Sequence, residues 1–348
     1  MIRSNTKGKI LIDIGHPGHV HLFKNFALIM QKKGHDVLFT CRNKEFEREL
    51  LINYNFNFVS LGSKINNKYL KLFGLIYFNL KLLLVARKFK PTIFLSHGSP
   101  YAAQIAFLLR KKHISLEDTG NKEQMIFYLP FTYKVLVAKS FKGKIGKKEV
   151  RYNGNHELFY LHPSVFVPEP TIYQKLGIEE NTKYVLIRLI GWSATHDSQK
   201  EGEDSLDFLH KLIDLIERNK MRVFISSEIE IPKFEEHRLN VSPELLHDVL
   251  KEAQLYVGQG STTANEASML GTFSVLINPQ VKTIGICQEL QKANLQLFFD
   301  NFSQAEKDIE RLLQSKDLKE KTLDNLDKYL MDKPNPTDFL VDFIEQIL

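Results

Sequence analysis

The sequence predicts an α/β protein made of two doubly wound parallel sheets facing one another across a cleft. Three observations lead there. Short β-branched runs alternate with longer segments of helical periodicity from the start of the chain. The alternation stops in a polar stretch carrying Pro163, Pro168 and Pro170, then restarts with YVLIRLI at 184–190. A chain of 348 residues is also long enough for two separate cores.

In the first half, strands are expected at 9–14, 36–41, 92–97, 113–117 and 134–138. Helices are expected between them at 19–33, 44–54, 66–89 and 100–111, with Gly34 closing the first where a left-handed residue is often needed. The second half offers strands at 184–190, 222–227, 255–258 and 273–278. Its helices are expected at 204–219, 243–253, 262–270 and after 284 and 303, with Ser242-Pro243 as cap and first turn of the second. These elements give a first domain over 1–160, a second over 161–335, and a terminal helix at 336–348 packing back on the first. Open parallel sheets bind ligands beyond the carboxyl ends of their strands, so the function is expected between the halves.

Composition narrows the classes. Apolar residues make up 43% and charged residues 25%, the balance of a folded chain in water rather than of a disordered or fibrous one. Cys41 and Cys287 show no metal-ligand or redox spacing, and the N-terminus lacks an apolar core followed by a small-residue cleavage site, so a reducing, cytoplasmic setting is expected. The most apolar stretch, 69–89, is broken by Lys71, Asn79, Lys81, Arg87 and Lys88, short of the roughly 20 apolar residues a membrane span needs.

The net charge of +6 hides a division. Residues 1–167 carry 27 Lys and Arg against 10 Asp and Glu, a net of +17, whereas 168–348 carry 20 against 31, a net of −11. A basic half attracts nucleic acid, anionic lipid or a phosphorylated substrate. Two basic runs, Lys64 to Lys90 and Lys139 to Arg151, mix cations with Leu, Ile, Phe and Tyr. Such a mixture can lie on an anionic membrane surface, or simply bury one face and solvate its lysines. Nucleic acid is disfavoured, since no recognition signature is present and the acidic half repels a long polyanion.

The segment from Leu255 to Asn278, LYVGQGSTTANEASMLGTFSVLIN, is the most informative. A strand ends in Gly258-Gln259-Gly260, then Ser261, Thr262 and Thr263 open a helix. Backbone N–H groups and the positive dipole end at a helix start bind phosphate oxygens. Glu266, one turn further in, is placed to accept both hydroxyls of a ribose. A plain glycine turn with a capped helix and a solvated Glu explains the same pattern.

This segment, with SPELLHDVLKEA before it, resembles the donor-nucleotide motif of the GT-B superfamily, which includes nucleotide-sugar glycosyltransferases and non-hydrolysing UDP-N-acetylglucosamine 2-epimerases. The resemblance runs over most of the chain and looks closest to an uncharacterised bacterial and archaeal family of that superfamily. It implies a GT-B-like fold of two Rossmann-like domains, with the diphosphate on Gly260 to Thr263 and the ribose on Glu266-Ala267. The proline common after the superfamily's downstream glycine is replaced here by Thr272, following Gly271.

Four loops complete the candidate site. Gly15-His16-Pro17-Gly18-His19-Val20-His21 joins the first strand to the first helix. Its histidines titrate near neutrality and suit acid–base work. His19 aligns with the Gly-Gly-His of the peptidoglycan N-acetylglucosaminyltransferase, and the resemblance implies a catalytic or acceptor-site role for it; His16 and Gly18 are further loop candidates. A metal held by His16, His19 and His21 is disfavoured, because no carboxylate or cysteine sits at ligand spacing and a tight loop cannot converge three rings. In the second half, the loop Gly191 to Asp197 offers His196 to stabilise the departing diphosphate, with Arg188 as helper and Trp192 either stacking on a ligand or packing.

His97-Gly98-Ser99 and Glu117-Asp118-Thr119-Gly120 rim the first domain. The epimerases carry Asp in the first of these loops, use Glu side chains from the second region, and set a His opposite. Here Ser99 stands near the Asp position, Glu117 and His196 are kept, and Phe131 replaces a further acid. That incomplete set favours transfer over epimerisation, unless Asp118 or Glu123 substitutes. No Asp-x-Asp ends a strand, so no metal or other cofactor is expected beyond a UDP-linked sugar as substrate. The expectation is a metal-independent glycosyltransferase of surface polysaccharide assembly, cytoplasmic or peripheral at the inner membrane face, with a glycan or lipid-linked acceptor. His19 takes the acceptor proton, and Glu117 is a further catalytic candidate. A nucleotide-sugar 2-epimerase is the alternative, and a catalytically silent nucleotide-sugar binder the third reading.

Overall fold

Every strand pairing among the described residues is parallel, so each strand is followed by a return segment that is usually a helix. The computed structural model describes residues 7–43, 46–63, 71–190, 199–228, 230–279 and 284–348, excepting the side chains of 43, 71–73 and 199–207. It divides into one unit of Met1–Val165 with Pro334–Leu348 and another of Phe166–Lys333.

The first unit runs β1 (Lys9–Asp13), α1 (Pro17–Lys32), β2 (Asp36–Asn43), α2 (Glu47–Asn53), β3 (Phe58–Ser63) and α3 (Lys71–Phe89). It continues with β4 (Ile93–His97), α4 (Pro100–Leu108), β5 (Lys112–Glu117), α5 (Lys122–Tyr128), β6 (Lys134–Ala138), β7 (Glu149–Tyr152) and α6 (Leu158–Leu161). The strand order is β3-β2-β1-β4-β5-β6-β7, reversing between β1 and β4. Residues Ile10, Leu11 and Ile12 of β1 are fully buried, as a central strand covered on both faces requires.

The second unit runs α7 (Ile172–Lys175), β8 (Tyr184–Leu189), α8 (Gln199–Arg218), β9 (Arg222–Ser227), α9 (Leu246–Glu252), β10 (Leu255–Gly258) and α10 (Ser261–Met269). Next come β11 (Ser274–Ile277), α11 (Gly285–Lys292), β12 (Gln296–Phe299), α12 (Phe302–Gln314) and α13 (Leu318–Leu330). Its order is β12-β11-β10-β8-β9, reversing between β8 and β10. The final helix, α14 (Pro336–Glu345), belongs to the first unit. There it buries Leu340, Val341 and Ile344, Lys33 pairs with Glu345 at 2.9 Å, and the Thr337 hydroxyl donates to the Phe159 carbonyl at 3.0 Å.

Several boundaries differ from expectation for local reasons. Helix α1 starts at Pro17 because the His16 ring accepts the Gly18 N–H and Pro17 occupies the first turn, where a missing N–H costs nothing. The expected helix over 243–253 begins instead as a 3-10 turn, Pro243–Leu245, and Ser242 makes no side-chain cap bond. Helix α3 buries Phe78, Leu82 and Ala86 against Leu11, Phe94, Ala102 and Ile105. Its opposite side leaves Ile76, Leu80 and Leu84 more than half exposed, at 54%, 57% and 67%. Lys64 and Lys68 lie outside the described residues. None of the described helices is long and apolar enough to cross a membrane.

Buried polar chains fix the loops above each sheet. In the first unit His113 is fully buried; its Nδ1 donates to Thr132 Oγ1 at 2.9 Å, because that hydroxyl gives its own proton to the Tyr128 carbonyl. Nε2 accepts from Ser96 Oγ at 2.9 Å, and that oxygen accepts the Ser99 N–H at 3.1 Å. In the second unit the Lys319 ammonium donates to the carbonyls of Lys251 and Ala253, at 2.5 and 3.0 Å, and to Thr272 Oγ1 at 2.6 Å. The Thr272 hydroxyl lies 2.6 Å from the Leu250 carbonyl, so threonine and lysine together satisfy the carboxyl end of α9.

Burial pushes the His113 pKa from 6.5 down to about 3. Between those values the unfolded chain holds a proton that the folded chain lacks, so stability is full above 6.5 and falls as the pH drops. Denaturant unfolding at pH 7 and pH 5 measures this: His113→Gln is expected to lose about 2 kcal/mol less over that interval than the parent chain.

Candidate functional site

In each unit the candidate residues lie at or beyond the carboxyl ends of the strands, several of them where the strand order reverses. In the first unit Asp13 closes β1 and is buried. Its carboxylate accepts from Thr40 Oγ1 at 2.8 Å, from Arg42 Nη1 at 3.1 Å and from the Ser99 hydroxyl. Arg42 also donates to the Ile14 carbonyl at 2.7 Å and lies over the Tyr101 ring at 4.8 Å. This buried ion pair braces the loop leading to His16 and His19; a side chain at Gly15 would approach Arg42 Nη2 to 3.0 Å. Ser99 is therefore doubly engaged, as partner of Asp13 and as cap of α4 through the Ala102 N–H.

The loop histidines separate into distinct roles. His16 accepts the Gly18 N–H at 3.1 Å and caps α1. His21 is buried, in contact with Tyr54 and Tyr160. His19 alone among the three approaches the next loop: its ring centre is 4.6 Å from that of His97 and 5.9 Å from that of His16. Its Nδ1 accepts the Gly15 N–H at 3.3 Å. Burial first, then the neighbouring His97 and His16, hold its pKa well below the usual value, so the ring is neutral at pH 7.

His97, the last residue of β4, bonds through Nε2 to Asp118 Oδ1 at 3.0 Å. Burial works against charge on His97, but the carboxylate and its hydrogen bond raise the pKa above the ordinary value. Asp118 is held below the carboxylate range: packing opposes its charge, and the attraction of His97 and His156 outweighs that. His156, beyond β7, stands edge-on to His97 with ring centres 5.2 Å apart, and burial pushes its pKa down to about 4. Glu117 is buried at the end of β5. One oxygen accepts the Thr119 N–H at 2.9 Å, its hydroxyl at 2.7 Å and the Gly120 N–H at 2.9 Å, and the other accepts from Tyr128. Glu117 thus braces the turn that presents Asp118.

In the second unit the turn Gly258 to Gly260 leaves β10 beside β8. A side chain at Gly258 would meet the Tyr256 hydroxyl at 2.5 Å and the Arg188 carbonyl at 2.8 Å, so glycine is required there. At Gly260 an added Cβ would meet nothing nearer than Ile190 at 3.6 Å, and φ is an ordinary −82°. Packing among the described residues does not demand that second glycine. Gly260 is the cap residue of α10 and supplies no side-chain bond, leaving the first amides, those of Ser261, Thr262 and Thr263, without a capping side chain. Arg188 donates to Ser226 at 2.5 Å and Glu228 at 2.8 Å, while its Nε–H is buried without a partner. Glu266 is buried and its Oε1 lies 3.2 Å from His247 Nε2 of α9, a pairing the sequence reading missed. His196, Trp192 and Asp197 lie outside the described residues.

Two doubly wound parallel sheets, each with its polar loops at the reversal point, define a GT-B-type α/β protein. The chain belongs to the family described as "Protein of unknown function (DUF354)", whose model matches residues 8–344. No curated protein matches the sequence. Among solved structures it is similar to S. aureus MnaA in complex with UDP, with a TM-score of 0.70 at 14% identity over 97% of this chain and 96% of that one. It is similar to the UDP-GlcNAc 2-epimerase of Methanocaldococcus jannaschii in complex with UDP-GlcNAc and UDP, with a TM-score of 0.64 at 13% identity over 97% and 99%. The glycotransferase of kitacinnamycin gives 0.66 at 11% identity over 99% and 100%. At these identities the likeness establishes the fold.

Removing Arg42 leaves a buried carboxylate without its cation, a change that costs about 3 kcal/mol or more. Arg42→Met is expected to lower the thermal midpoint by several degrees, whereas substitution of exposed Arg110 leaves it unchanged; scanning calorimetry of both variants measures the difference.

Proposed function

We propose that this chain is a glycosyltransferase that moves a sugar from a nucleoside diphosphate, UDP as the first candidate, to a hydroxyl of a glycan or lipid-linked acceptor in surface polysaccharide assembly. The observation that carries the reading is the start of α10, which its cap residue Gly260 leaves without a side-chain bond and where no described residue requires a glycine, at the reversal point of the second sheet. Free amides, a dipole and an absent side chain together suit a diphosphate. The UDP present in the MnaA and M. jannaschii structures supports the choice of nucleotide.

In this reading Ser261, Thr262 and Thr263 hold the diphosphate, Glu266 takes the ribose, and Arg188 and His196 add positive charge. As the bond from the sugar's anomeric carbon to the diphosphate oxygen breaks, its electron pair stays on that oxygen and the amides stabilise the charge. The acceptor hydroxyl forms the new bond and yields its proton to neutral His19, at whose Nδ1 it replaces the long contact from Gly15. Transfer is preferred to epimerisation because Glu117, the acid retained from the epimerase set, is consumed by Thr119, Gly120 and Tyr128. Ser99, at the position of the epimerase Asp, is bonded to Asp13.

A lipid-linked acceptor is supported by α3, whose exposed Ile76, Leu80 and Leu84 adjoin exposed Arg87 and Lys88 within the basic half of the chain. Sedimentation with anionic vesicles is expected to be salt-sensitive and to weaken in Leu80→Ser/Leu84→Ser; equal sedimentation of parent and variant contradicts that contact.

The reaction is tested by incubating the protein with nucleotide sugars and candidate acceptors in heavy water. Nucleotide release that depends on acceptor, with no deuterium at the sugar C2, is expected; deuterium at C2 without release identifies an epimerase instead. Because helix amides rather than an ion hold the diphosphate, calorimetric affinity for UDP is expected to stay within about twofold in EDTA and to fall about tenfold in Glu266→Gln.

A further inference from the structure

The sequence disfavours a metal because His16, His19 and His21 cannot converge, and the fold gives each of those rings its own partners. It assembles another set, from residues 97, 118 and 156, that no local spacing reveals. We propose that His97, Asp118 and His156 bind one divalent transition-metal ion through two imidazoles and a carboxylate, leaving a coordination position open.

Four observations lead to this site. First, one ligand atom from each residue lies within 4.8 Å of the other two, and His97 Nε2 is already 3.0 Å from Asp118 Oδ1. Around an ion with ligands at about 2.0–2.2 Å, tetrahedral neighbours stand about 3.3–3.6 Å apart, so side-chain adjustments of about an ångström close the shell. Second, His156 is 8% exposed and its Nε2 is buried with no hydrogen-bond partner. A buried polar nitrogen without a hydrogen-bond partner among the described residues is uncommon, and an ion supplies one.

Third, the other nitrogen of that ring, Nδ1, is 2.9 Å from the Tyr152 hydroxyl. When Nδ1 carries the proton and donates it to Tyr152, the lone pair stands on Nε2, the arrangement by which an outer partner orients a metal-bound imidazole. Fourth, the three residues sit at or just beyond the ends of β4, β5 and β7, so a continuous sheet sets their spacing rather than a single loop.

Imidazole with carboxylate suits Zn2+, Fe2+, Co2+ or Ni2+ better than Mg2+ or Ca2+, which take oxygen ligands. His19 is not counted among the ligands, since the mutually close ligand atoms come from His97, Asp118 and His156. A water or hydroxyl in the open position loses its proton more readily than in bulk. The inference does not rest on the transferase reading, and either can fail alone.

The test uses the full chain, stripped with chelator and dialysed, and reads metal binding rather than activity. Titration calorimetry with Zn2+ is expected to give one ion per chain, and Co2+ is expected to give visible absorption of a low-coordinate nitrogen and oxygen site. Asp118→Asn, at a half-exposed position where folding is not at stake, and His156→Asn are each expected to lower Zn2+ affinity by more than tenfold. Tyr152→Phe is expected to lower it by about tenfold, and exposed His210→Asn to leave it unchanged. Circular dichroism checks that each variant is folded. Failure of the parent chain to bind Zn2+ stoichiometrically overturns the proposal, as does unchanged affinity in folded Asp118→Asn; the cluster is then an ion pair of His97 and Asp118 with a neutral histidine beside it.

Discussion

Parallel pairing is the constraint from which the rest of this protein follows. Because neighbouring strands run the same way, all of them end at one edge of their sheet, and the chain returns along its faces, mostly as helices. The central strands are sealed on both sides and spend their side chains on packing, as Ile10 to Ile12 and Leu255 to Val257 do. Polar chemistry is left to the carboxyl edge. Where the strand order reverses, adjacent loops turn to opposite faces and leave a gap, and there the first unit places His16, His19, His97 and Ser99 and the second places Gly258 to Thr263.

Holding charged and titratable groups at such an edge requires partners for each. The first unit solves this by neutralising some and pairing others. Asp13 is matched by Arg42, Glu117 is saturated by its own turn, and His113 is locked neutral between Ser96 and Thr132. What remains is a small polar cluster in which His19 and His156 are neutral while His97 and Asp118 favour their charged forms. The second unit works by subtraction: a glycine and an uncapped helix start leave donors for a ligand, and the carboxylate of Glu266 is positioned by His247.

Much of this was legible in the residues. Central strands such as KILID and KVLVA are continuous apolar runs because both faces are buried, and helix starts follow Pro17 and Pro100. The strands that escaped notice, β3, β7 and β12, all lie at sheet edges, where strands are short and partly exposed: EVRY and FVSLGS carry no long apolar run, and QLFF is only four residues. Motifs contiguous in sequence, the histidine loop and the glycine turn, could be found by eye. Asp13 with Arg42, and Glu266 with His247, could not, since pairing across elements leaves no mark on local spacing. His156 belongs to no motif visible in the sequence, and only the fold brings it to His97.

The account turns on a nucleotide diphosphate docking at the start of α10. A crystal structure of the full chain grown with UDP tests it most directly. The account predicts phosphate oxygens within hydrogen-bonding distance of the Ser261, Thr262 and Thr263 amides, with the ribose beside Glu266. UDP bound at another place on the chain, with that helix start in contact with water alone, contradicts it.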